Sequence, residues 1–110
     1  MNIWDDGRGH EVFERDRGRC VYCDFDLLAD LPHYNQAEID HLLPPDNVNR
    51  EKPASLVLAC HGCNQRLSKA HTWGHVTVEA RRAYLREHES GVRAKFEEYA
   101  AKRKTDWVVR

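Results

Sequence analysis

The chain has 110 residues, 41% of them hydrophobic and 32% charged, and its 17 Lys+Arg against 18 Asp+Glu leave a formal net charge of −1. That length fits a single domain over residues 1–110 and leaves no room for two. The apolar content is too high for plain disorder, and no apolar run approaches the roughly 18 residues of a membrane span, so no membrane partner is expected.

The N-terminal Met1-Asn2-Ile3-Trp4-Asp5-Asp6 is acidic and lacks an apolar stretch. It does not read as a secretory signal, and the expected setting is cytoplasmic. Residues 9–18 read as a short helix with Val12 and Phe13 facing inward and Gly18 as its stop. A first Cys-x-x-Cys knuckle follows, Cys20-Val-Tyr-Cys23. Residues 24–34 show no sustained period and read as loop, with a turn at Leu27-Leu28. Residues 36–42 alternate as a strand, with Ala37, Ile39 and His41 on one face and Glu38, Asp40 and Leu42 on the other. Pro44-Pro45-Asp46-Asn47 is a turn signal that opens a polar loop over 44–54. Residues 55–59, Ser-Leu-Val-Leu-Ala, are a short apolar run suited to the return strand of a hairpin.

The second knuckle, Cys60-His-Gly-Cys63, comes next, and residues 64–70 read as a helix. The middle of the chain is therefore strand, loop, strand, helix. Residues 71–76 are a connector in which Trp73 reads as core packing. A helix is predicted from Thr77 to Glu89, broken at Ser90-Gly91, with a second from Val92 to Lys104. Val92, Phe96, Tyr99 and Ala100 recur at i, i+4, i+7 and i+8, an apolar stripe expected to pack on the core. The last few residues, Trp107 included, carry no assignment.

Four cysteines in two Cys-x-x-Cys pairs supply the four thiolates that tetrahedral structural zinc takes, and disulfides are disfavoured in a cytosolic setting. A metal staple also suits a domain with so small a core. His61 lies inside the second knuckle, but four cysteines already fill the shell, so it is expected to be exposed. Cys23 and Cys60 are separated by 36 residues, where a simple zinc ribbon has about 15–20. An additional unit must lie between the knuckles, and any chemistry belongs there. Asp40-His41 ends the first strand, and Asn64 follows the last cysteine where the helix begins. In a ββα hairpin these three can converge. A carboxylate and an amide oxygen suit a hard divalent cation, and a neighbouring imidazole can take a proton from water near neutral pH.

The order Cys-x-x-Cys, Ile-Asp-His-Leu-Leu-Pro, then Leu-Val-Leu-Ala-Cys-His-Gly-Cys-Asn resembles the HNH endonucleases, and within them the zinc-stapled branch of the ββα-metal nucleases. The likeness covers about residues 8–70 and leaves a helical extension over 76–110 outside it. It implies an α+β fold: a small ββα-metal core stapled by zinc through Cys20, Cys23, Cys60 and Cys63, with an N-terminal helix and the C-terminal extension. It further implies His41 as the general base that activates water, and Asp40 and Asn64 as ligands of one catalytic divalent cation, Mg2+ or Mn2+. The middle Asn of the motif falls on Ser55, where the resemblance implies a brace for the loop; Ser donates a hydrogen bond but has a shorter reach. The implied activity is hydrolysis of DNA phosphodiester bonds.

The charge is segregated in a way that suits a DNA partner. The first 63 residues carry 12 acidic and 6 basic side chains, the remaining 47 carry 6 and 11. Arg66, Lys69 and His71 follow the metal helix and are candidate contacts to the DNA backbone, with Arg81, Arg82 and Arg86 extending a phosphate-facing surface. The alternatives are a non-catalytic zinc-stapled DNA-binding module, or the nuclease subunit of a phage packaging, restriction or junction-resolving system in which a partner protein supplies target recognition.

Overall fold

The computed structural model describes residues 7–107. Among them the fold is a small α+β unit in which helices pack around one two-stranded sheet. Helix α1 spans Gly7–Arg15 and buries Val12. It stops before the expected Gly18 because Arg17 already adopts a left-handed conformation, φ 57°, followed by Gly18 at 67°. The amides of Arg17 and Gly18 bond back to the carbonyls of Glu14 at 3.1 Å and Phe13 at 3.1 Å. This paired closure satisfies two of the carbonyls that a helix end leaves free.

The stretch read as loop contains a four-residue helix, α2, over Leu31–Tyr34. Asp30 caps it by accepting from the His33 amide at 2.8 Å, and Pro32 sits in the first turn, where its missing N–H costs nothing. Strand β1, Ala37–His41, pairs antiparallel with β2, Leu56–Cys60, in the register Ala37↔Cys60, Ile39↔Leu58, His41↔Leu56. All five residues of β2 are buried. Its outer edge is closed by side chains and a turn instead of a third strand. The Leu58 amide donates to Asp16 at 2.9 Å, and the Leu58 carbonyl accepts from Val21 at 3.0 Å. Arg15 adds bonds to the carbonyls of Pro53 and Leu56 at 2.8 and 2.6 Å. An exposed strand edge is thereby removed from solvent.

Helix α3, His61–Arg66, begins three residues earlier than expected, inside the second knuckle, because Cys60 is its cap and its sulfur accepts from the Cys63 amide at 3.4 Å. A single turn over Ala70–Trp73 follows. Trp73 is half-exposed and leans on Tyr84, with centroids 4.9 Å apart, so it borders the core without entering it.

The C-terminal region departs most from expectation. Helix α4 runs unbroken over Val78–Asp106, capped by Thr77, whose hydroxyl accepts from the Ala80 amide at 3.1 Å. Gly91 does not break it: a single glycine costs a helix only about 1 kcal/mol relative to alanine, and a Glu89–Arg93 ion pair at 3.0 Å spans it. A continuous rod cannot fold back, so the predicted stripe does not reach the core. Val92, Phe96 and Tyr99 are 46%, 66% and 58% exposed. Only the first third of α4 packs, through Arg81 and Leu85. The core itself gathers Val12, Leu27, Ile39, Leu56, Leu58 and Leu67. No helix among the described residues is long and apolar enough to cross a membrane.

Candidate metal centre and adjoining cavity

The two knuckles meet. Cys20 and Cys23 come from the turn after α1, Cys60 from the end of β2 and Cys63 from the first turn of α3, and their sulfurs all lie within 4.8 Å of one another. The Cys23 and Cys60 sulfurs are 3.8 Å apart. Four sulfurs about 2.3 Å from a tetrahedral ion would sit about 3.8 Å from each other, so the donor set fits zinc in both chemistry and spacing. By itself the cluster favours one thiolate. Hydrogen bonds from Cys60 and Cys63 pull Cys20 down to about 2, burial pushes Cys23 up to about 12, and hydrogen bonding to Cys20 and Cys60, together with burial, raises Cys63. A bound cation inverts that order, because it stabilises every thiolate that ligates it. His61 is exposed, as expected, and its Nδ1 is held by Glu38 Oε2 at 2.6 Å.

A cavity of about 510 Å³ opens beside this cluster, lined among others by Glu38, Asp40, His41, Asn64, His71 and Arg81. The hairpin register and the knuckle together create it. Asp40 and His41 end β1, and Asn64 stands one residue past Cys63 on α3, which packs against both strands. The three residues singled out in the sequence thus share one cavity.

Asp40 is 6% exposed and Arg81, from α4, only 1%. Arg81 Nη1 donates to Asp40 Oδ2 at 2.7 Å, and the same oxygen accepts from the Tyr22 hydroxyl. The rest of the guanidinium is used on backbone: Nη1 to the His41 carbonyl at 3.3 Å, Nη2 to Leu42 at 3.2 Å and Nε to His75 at 2.8 Å. Arg81 is therefore not part of a phosphate-facing surface. It neutralises a buried carboxylate and ties the end of β1 to α4. Asp40 Oδ1 makes no hydrogen bond among the described residues. Burial, reinforced by the Asp40 charge, pushes the Tyr22 phenol above its usual range, so it remains a donor.

His41 reaches Glu51 with Nε2, 3.0 Å from Oε2. Partial burial works to raise the Glu51 carboxyl, but the hydrogen bond to His41 and the charges of His41, Arg50 and Arg8 hold it below the ordinary glutamate value. An ionised Glu51 accepts from Nε2–H, and that tautomer leaves Nδ1 as the basic atom. Asn64 donates Nδ2 to Glu38 Oε1 at 2.7 Å, and its amide oxygen is without a hydrogen bond among the described residues.

The other candidates lie elsewhere. Ser55 ends the turn Pro53–Ser55 and borders a separate hollow with Leu42, Val76 and Thr77; its backbone carbonyl accepts from the Leu42 amide at 3.0 Å. Of the proposed DNA contacts, His71 lines the cavity and Lys69 is exposed. Arg66 turns to the opposite side of α3, paired with Glu89 at 3.2 Å, in a groove that Arg82 and Arg86 also line. Of four further contributors, Glu38, Tyr22 and Glu51 escaped the sequence reading, and Arg81 was read there as phosphate-facing. Glu38 was legible in principle, two residues from Asp40 on the same strand face. Tyr22, Glu51 and Arg81 carry no local signal.

Comparisons with known protein families, with curated proteins and with solved structures return no match for this chain.

Proposed function

We propose that the chain is a metal-dependent DNA endonuclease of the HNH type, built on a zinc-stapled ββα core. The observation that carries this reading is the meeting of Asp40, His41 and Asn64 around one cavity beside four clustered cysteines. In this reading Cys20, Cys23, Cys60 and Cys63 hold a structural zinc ion. Asp40 and Asn64 hold one Mg2+ or Mn2+ ion through the carboxylate and amide oxygens that make no hydrogen bond among the described residues. Bound there, the ion supplies Lewis-acid stabilisation of charge on the scissile phosphate and the leaving oxygen.

The protein's own part is proton transfer and positioning. His41 accepts the proton of an attacking water at Nδ1, and Glu51 fixes the ring by holding Nε2. The Glu51 contact supplies a brace of the kind the motif's middle Asn would give, which the short side chain of Ser55 does not reach. Arg50 and His71, which line the same cavity, are the groups at hand for phosphate oxygens. Plasmid nicking in Mg2+ or Mn2+ tests this. Zinc-loaded wild-type protein is expected to nick, and His41→Ala to lose at least about 100-fold in rate while keeping its zinc. Equal nicking by both proteins overturns the assignment of the base.

One observation favours a second reading, a non-catalytic zinc-stapled DNA-binding module: Asp40, the expected cation ligand, already has its charge offset by Arg81. DNA binding with no cleavage in any divalent metal would select it.

A further inference from the structure

We infer that the distal half of α4 is a self-association surface, on which a second copy of this chain packs antiparallel with Phe96 at the two-fold axis. Beyond Leu85, α4 leaves the core, and nothing among the described residues covers its apolar stripe. Val92, Phe96 and Tyr99 lie 46%, 66% and 58% exposed on one face. Three large apolar side chains in contiguous helical register form a patch that isolated surface residues do not make.

The charges on the same stripe identify the partner. Glu89 stands seven residues before Phe96 and Arg103 seven after. One heptad, about two helical turns, puts each about 10.5 Å along the axis from Phe96, on the same face. Turned end for end about Phe96, the stripe is complementary to itself. Phe96 meets Phe96 of the second copy, and Glu89 faces the second copy's Arg103 at both ends. Val92 and Tyr99 fill the layers between. This is the reciprocity an isologous two-fold interface requires, with residue i on j and j on i. A parallel pair would set Glu89 against Glu89 and Arg103 against Arg103, so charge selects the antiparallel form.

The intramolecular partners of these charges are surface pairs. Glu89 contacts Arg66 and Arg93 at 3.2 and 3.0 Å, and Arg103 contacts Asp106 at 3.4 Å. Arg103 also lies over the Tyr99 ring, 5.2 Å from its centroid. Such exposed pairs are weak and exchange readily for intermolecular ones.

Sedimentation velocity on the full-length, zinc-loaded chain between about 1 and 200 µM tests the inference, in the affinity range of modest interfaces. Mass is expected to rise with concentration from 12.9 kDa to twice that. Phe96→Asp, at a position already two-thirds exposed, is expected to keep the helical circular dichroism and remain monomeric throughout. Glu89→Arg and Arg103→Glu should each weaken dimerisation at least about 10-fold by setting like charges together, and the double reversal should restore it. A wild-type monomer at every concentration, a dimer unaffected by Phe96→Asp, or a double reversal no better than the single changes overturns it. None of these readouts depends on nuclease activity, so the outcome is separate from that of the proposed function.

Discussion

Arg81 and Asp40 are the buried charged pair of the described fold, and their energetics follow from what surrounds them. Two charges taken out of water cost several kcal/mol each, and mutual attraction returns this only where the remaining donors and acceptors are also satisfied. Here all three guanidinium nitrogens are used, on one carboxylate and three carbonyls. Removing Arg81 alone strands a buried carboxylate and takes the guanidinium donor from three carbonyls. Arg81→Met is therefore expected to lose about 3–5 kcal/mol in urea denaturation, while Arg81→Met with Asp40→Asn recovers part of that loss. A single variant within about 1 kcal/mol of wild type would show the pair to be dispensable. The residue scale is also where the sequence was least informative. Asp40, His41 and Asn64 were legible as candidates because the end of a strand and the residue after a cysteine pair are local features. Arg81 lies 41 residues beyond Asp40, and nothing in the sequence near it separates a buried arginine from the exposed Arg82 beside it. Glu51 sits in a polar loop where any acid would read as solvated.

At the scale of elements, the hairpin, its antiparallel pairing, the helix before the first knuckle and the helix at the second were readable from periodicity and turn residues, whereas the short helix α2 after the first knuckle was not. Two ends were misplaced for the same reason: a capping contact decided them. Cys60 caps α3, so the helix starts within the knuckle, and the closing bonds at Arg17 and Gly18 end α1 early. The larger error was to treat Ser90-Gly91 as a break. Helix propensity penalises a glycine by about 1 kcal/mol relative to alanine, a cost that a 29-residue helix with a spanning ion pair can carry. A Cβ at Gly91 would meet no heavy atom within 4 Å. Gly91→Ala is accordingly expected to stabilise α4 by about 0.5–1 kcal/mol with a small rise in helical circular dichroism. A loss of stability instead would mean that the helix bends or pauses at that position.

Across the whole molecule, the described core is a handful of aliphatic side chains around one short hairpin, and α4 extends well past it. Domains of this size bury too little apolar surface to hold many loops in place, which is why small folds so often rely on a staple. The four cysteines are well placed for that task. They join the turn after α1 to the end of β2 and the start of α3, which are distant from it in the sequence. The same α3 carries Asn64 into the cavity and packs on the strand that ends in Asp40 and His41. Cavity and cluster therefore share one scaffold, and losing the metal should cost both. Treatment with a strong chelator under reducing conditions is expected to release about one zinc per chain and lower the melting temperature by more than about 10 °C, since each kcal/mol moves a domain of this size by several degrees. Acid should act similarly, because protonated thiols cannot ligate. The contribution of the metal would be separable from general destabilisation by Cys60→Ser. That variant should bind no zinc and melt near the chelated wild type, with no further drop on adding chelator. If it instead kept its zinc and its melting temperature, the four-sulfur site would be wrong, and the packing of α3 would have to be explained by the aliphatic core alone.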